Sequence, residues 1–127
     1  STLFPYTTLF RSLELARISL QYDYYGMLLS ERQREVMNLY HEENLSLTEI
    51  AEELGISRQG VHDSLKNAQA ALGKYEGKLG LVHRFEETAE AINRIDLIID
   101  ELIKGNCGNN KIEKQLIHIK EIIDNID

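Results

Sequence analysis

Apolar residues return every three or four positions through most of this chain, the spacing of helical faces rather than strands. In "LELARISLQYDYYGMLL", from Leu13, one face carries Leu15, Ile18, Tyr22, Tyr25 and Leu29, and a second carries Leu13, Leu20, Tyr24 and Met27. A helix apolar on two sides belongs between other helices, which assigns its tyrosines to the core rather than to a base-stacking platform. Ser30 and Gln33 then form a capping box that opens a helix with Val36, Leu39 and Tyr40 turned inward. "HEEN", from His41 to Asn44, reads as a polar break.

The same capping logic recurs at Ser46 and Glu49 in "SLTEIAEELG", whose buried stripe is Leu47, Ile50, Ala51 and Leu54. Gly55 can adopt the left-handed conformation that ends this helix, and Ser57 caps the next one after only Ile56 intervenes. This is a helix-turn-helix written in local chemistry. In its second helix Val61, Leu65, Ala68 and Leu72 point inward, leaving Arg58, Gln59, His62, Asp63, Lys66 and Asn67 outward or flanking. Gly60 either permits a close backbone approach or weakens the first turn.

After Gly73 the pattern resumes, with Leu81, Phe85, Ile92, Ile95, Ile99 and Leu102 on a long helix that "GNCGNN" breaks. Ile112, Leu116, Ile119, Ile123 and Ile126 follow at alternating steps of four and three. Neither helix can bury its isoleucines alone, so the two predict an antiparallel hairpin. Leu97, Ile98, Ile103, Ile117 and Ile122 widen its apolar face, which calls for a cover from the first helix, the helix-turn-helix or a second copy of the chain. The expected fold is all-α: a helix-turn-helix domain over residues 13–73, without a wing, and a helical-hairpin extension over 74–127.

The first twelve residues, "STLFPYTTLFRS", carry a near-repeat of TLF and a proline, and follow neither helical nor strand periodicity. They resemble the in-frame translation of a sequencing-adapter oligonucleotide. Residues 1–12 are therefore expected to be an artefact outside the domain.

Charge changes the picture of what the helix-turn-helix can approach. The 127 residues carry a formal charge of −7, so the molecule as a whole repels polyanions and a nucleic-acid site must be a local basic patch. Within residues 46–72, Glu49, Glu52, Glu53 and Asp63 outnumber Arg58 and Lys66; Lys74, Lys78, His83 and Arg84 supplement them just beyond. Membrane surfaces are equally poor partners, and no apolar run is long enough to span one. A lone Cys107 and no visible signal peptide fit a reducing cytoplasm.

Catalysis finds little support. His41 lacks a second histidine at helical spacing, His62 and Asp63 are sequence neighbours about 100° apart on a helix, and His83 and His118 stand singly. Nothing near Cys107 clearly lowers its pKa. No cofactor or metal is expected.

"DYYGMLLSERQREVMNLY", "LSLTEIAEELGISRQGVHDSLKNAQAAL" and "YEGKLGLV" together resemble the YlxM family, small bacterial proteins similar to region 4 of sigma-70 factors and associated with the signal recognition particle. The resemblance spans about residues 13–90 and is most specific in "EIAEELGISRQGVHDSLK". Ser57, Arg58, Gln59, Val61, Asp63, Lys66 and the Tyr75–Glu76 pair match the family pattern. His41 stands where a second tyrosine is common, and Asn67 where Arg or Lys is common, which removes one phosphate contact. The resemblance implies a non-enzymatic cytoplasmic accessory of co-translational targeting whose partners are the particle GTPase and its RNA. A DNA-binding regulator is the alternative. Either role is expected to use Ser57, Arg58, Gln59, His62, Lys66, Asn67, Lys74 and Lys78, in a protein expected to be a homodimer.

Overall fold

The computed structural model describes the backbone of residues 4–126 and the side chains of residues 11–126. It contains six α-helices and no strand among the described residues: α1 (Phe4–Tyr25), α2 (Glu31–Met37), α3 (Leu47–Leu54), α4 (Arg58–Leu79), α5 (Leu81–Gly105) and α6 (Asn110–Asp124). A 3₁₀ turn, Gly26–Leu28, joins α1 to α2, and a π-helical turn, Asn38–Glu42, extends α2. The chain divides into two units, one ending at Val82 and the other beginning at His83.

In the first unit α4 packs against α1, α2 and α3. Val61, Leu65, Ala68 and Leu72 of α4 meet Val36, Met37, Ile50 and Ala51, with Tyr25, Leu29, Leu39 and Val82 completing the buried cluster. Fully burying one of the larger aliphatic side chains contributes about 1.5–3 kcal/mol, so this cluster is what makes short α2 and α3 stable.

Local signals acted as their chemistry dictates. Both capping boxes form: Ser30 Oγ accepts from the Gln33 amide at 3.2 Å, and Ser46 Oγ from the Glu49 amide at 3.1 Å. Gly55 ends α3 at φ 66°. The "HEEN" stretch differs from the sequence expectation, because His41 and Glu42 remain helical in the π turn. Reversal waits for Asn44, at φ 55°, after which the Leu45 amide donates to the Leu39 carbonyl at 2.9 Å. Asparagine tolerates that left-handed conformation better than most residues.

Two further expectations differ from the structure. The helix does not pause at Gly73 but runs to Leu79, since Leu72 and the half-buried Ala71 and Tyr75 hold its next turn to the core. Gly80, at φ 63°, is the stop of this helix. Residues 1–3 of the expected artefact lie outside the described residues; from Phe4 the backbone is helical and continuous with Tyr25. Extending an existing helix needs no apolar period, and Pro5 falls in the first turn, where its missing amide costs nothing. Nor is α1 enclosed on two sides: Leu13, Leu15, Tyr24 and, beyond its end, Met27 are exposed, and of Tyr22, Tyr24 and Tyr25 only Tyr25 is fully buried.

The second unit is a helical hairpin. Asn109 caps α6 by accepting from the Ile112 amide at 3.2 Å, and Lys120 bridges back to Asp96 at 3.2 Å and to Asp100. Those carboxylates, Asp100 foremost, hold the Lys120 ammonium above its ordinary pKa.

Candidate nucleic-acid interface

Ser57 builds the start of α4. Its hydroxyl accepts from the Gly60 amide at 2.9 Å, and a Cβ on Gly60 would stand 3.1 Å from that oxygen. The glycine therefore leaves room for the cap, which accounts for it without a groove.

Beyond the cap, Arg58, His62 and Lys66 fall on successive turns of one exposed row, with Gln59 beside them. Arg58, Gln59 and His62 share a shallow concavity with Leu47 of α3. Asp63 restrains two of the three: Gln59 Nε2 donates to Asp63 Oδ1 at 3.0 Å, and His62 Nδ1 lies 3.6 Å from the same oxygen. Sequence neighbours 100° apart on the helix thus still meet, though both side chains are more than half exposed and no third group orients them.

Not all eight candidates gather in one place. Lys66 opens instead on a groove between α1 and α4, lined by Glu14, Arg17, Gln21 and Gln69. Asn67, Lys74 and Lys78 continue along the next exposed strip, and Lys78 sits about 30 Å along the axis from Arg58 at 1.5 Å per residue. Arg17 is a cation that sequence reading missed, because only the packing of α1 on α4 brings it to the Lys66 groove. Exposed Glu49, Glu52 and Glu53 on α3 add acid beside the helix start.

A partly buried polar relay supports the other end of α4. The Tyr25 hydroxyl donates to Glu76 Oε1 at 2.6 Å and accepts from the Leu81 amide at 3.0 Å, while Glu76 Oε1 accepts from the Val82 amide at 2.9 Å. Gly80 precedes α5 and has no side chain to cap it, so tyrosine and glutamate serve the first orphan amides of that helix. Burial, reinforced by the Glu76 hydrogen bond, raises the Tyr25 pKa above 10.0.

Against known proteins, residues 14–119 match the UPF0122 family, described as "Putative helix-turn-helix protein, YlxM / p13 like". The chain belongs to the UPF0122 family. It is 40% identical over 111 residues to a UPF0122 protein of Desulforamulus reducens, covering 87% of this chain and 94% of that one. A UPF0122 protein of Bacillus thuringiensis is 34% identical over the same shares, and one of Caldanaerobacter subterraneus is 49% identical over 78 residues, 61% of this chain and 67% of that one. The UPF0122 match runs through the helix-turn-helix and most of the hairpin, so both units belong to the family pattern. Among the described residues no group of three His, Cys, Asp or Glu side chains converges to hold a metal ion, and no helix is long and apolar enough to cross a membrane.

Proposed function

We propose that this UPF0122 protein is a non-enzymatic, cytoplasmic accessory of the signal recognition particle that binds the particle GTPase and its RNA through the helix-turn-helix, and that it acts as a homodimer. The carrying observation is the charge arrangement on α4. A short row of Arg58, His62 and Lys66 is exposed for a phosphate backbone, yet Asp63 lies within it and Glu49, Glu52 and Glu53 flank it. Such a surface attracts arbitrary duplex weakly, since duplex binding scales with the number of phosphates neutralised. A structured RNA read partly by shape, together with a basic protein surface, suits it better. The resemblance of residues 13–90 to YlxM proteins supplies the particle.

The exposed start of α4 also favours a second reading, a DNA-binding regulator, because that is the end of a recognition helix that meets base edges in a major groove. Ser57, Arg58, Gln59, His62, Lys66 and Asn67 would be its contacts, with Lys74 and Lys78 on the backbone. The test compares the parent chain with Arg58→Ala/Lys66→Ala against the targeting RNA, the GTPase and random duplex. Binding to the RNA or GTPase that survives salt, with weak duplex binding whose logarithmic salt slope is about 0.9 per lost phosphate contact, supports the particle. Tight binding to one duplex sequence with the RNA and GTPase ignored replaces it with the regulator.

A further inference from the structure

The α5–α6 hairpin covers little of its own apolar surface. From His83 onward Ile99 and Leu116 are the buried hydrophobic residues among those described. The Lys120 bridges to Asp96 and Asp100 define one flank of the hairpin. Helical spacing sets Ile95, Ile98 and Leu102 of α5, with Ile112, Ile119 and Ile122 of α6, on the opposite flank. Each of these six is between 37% and 56% exposed. Charge thus closes one side of the hairpin and leaves the other side a continuous aliphatic face.

We infer that this face is where two copies of the chain join, hairpin on hairpin about a two-fold axis, into a four-helix bundle. The inference rests on the homodimer proposed above and supplies its surface. The extent is sufficient: the exposed parts of the six side chains amount to roughly 500 Å² per copy, and with the surrounding rim two copies would bury about 1,200 Å², the lower bound for a stable interface. The pattern is also self-complementary. Ridges three and four residues apart on two antiparallel helices pack against the same ridges at a shallow crossing angle, as helices of a bundle do. At the rims α5 carries Glu87, Arg94 and Glu101 while α6 carries Lys111 and His118. A two-fold that lays α5 across the α6 of the second copy is the isologous arrangement that closes at two subunits.

Analytical ultracentrifugation of the full chain at micromolar concentration should show a dimer. Ile98→Glu/Ile122→Glu should sediment as a monomer while its circular dichroism stays helical. Should that variant fail to fold, Ile98→Ala/Ile122→Ala keeps strong helix formers and should raise the dissociation constant by about a hundredfold, on the scale of paired interface truncations. Leu97→Ala/Ile117→Ala, outside the face, should leave it unchanged. A monomeric parent chain would overturn both the homodimer and this surface. A dimer that the Ile98/Ile122 alanine pair leaves intact, or that the Leu97/Ile117 pair dissociates, would overturn the surface alone.

Discussion

Tyr25 and Glu76 are 51 positions apart, and their hydroxyl and carboxylate oxygens meet at 2.6 Å over the first turn of α5. The pair links the end of α1 to the end of α4 and satisfies the amides of Leu81 and Val82. Tyr25→Phe keeps the ring in the core but leaves the Leu81 amide without its acceptor. Thermal unfolding should show a Tm lowered by on the order of 5 °C, and Glu76→Gln, which still offers an oxygen, should lose less.

The same pair sets an alkaline limit. Because Tyr25 titrates above 10.0 in the folded chain, the unfolded chain loses this proton first, so its contribution is intact below pH 10 and declines as pH rises toward the folded pKa. Tyrosinate absorbance should show a late-titrating fraction that shrinks in Tyr25→Phe. No change in that fraction would place the perturbed tyrosine elsewhere, with Tyr22, also raised by burial, the next to test.

His41 supplies the acid limb. Its Nε2 is buried with no hydrogen-bond partner among the described residues, its ring meets Tyr40 edge-on at 5.0 Å, and burial holds its pKa below 6.5. The unfolded chain takes up this proton first as pH falls, so stability present above pH 6.5 is lost as pH drops through the folded pKa. Denaturation midpoints measured from about pH 7 to about pH 5 should fall, and His41→Phe should flatten that part of the curve. An equal slope in both chains would assign it to other groups.

Asp63 should restrain nucleic-acid binding, since it holds Gln59 and stands beside His62. Asp63→Asn keeps an acceptor for Gln59 and removes the negative charge. RNA affinity at low salt should rise about three- to tenfold, with the gain fading as salt screens it. Weaker binding would mean that the carboxylate itself contacts the ligand.

Removing residues 1–12 should leave the Tm unchanged within error. Among the described residues, those of α1 that pack on the buried cluster of the first unit are Ile18, Leu20, Tyr22 and Tyr25, and the family match begins at residue 14. A large loss of stability on deletion would make the segment part of the domain.

What the sequence by itself determined was everything set by neighbours along the chain. Ser30, Ser46 and Ser57 cap the helices they precede, Gly55 makes the turn, and the stripe Val61, Leu65, Ala68 and Leu72 is buried, because capping and helical periodicity act within a few residues. The exposure of Arg58, Gln59, His62 and Lys66 followed from the same stripe. Tertiary structure decided the rest. Gly73 and Gly80 look alike in sequence, but packing carries α4 through the first and ends it at the second. The Tyr25–Glu76 relay and the approach of Arg17 to the Lys66 groove depend on α1 lying against α4, and one helix's period carries no information about its neighbour. Which hydrophobic residues of the hairpin are buried was likewise a matter of helix pairing: Ile99 and Leu116 are covered, and the Lys120 bridges to Asp96 and Asp100 form only once the helices face each other.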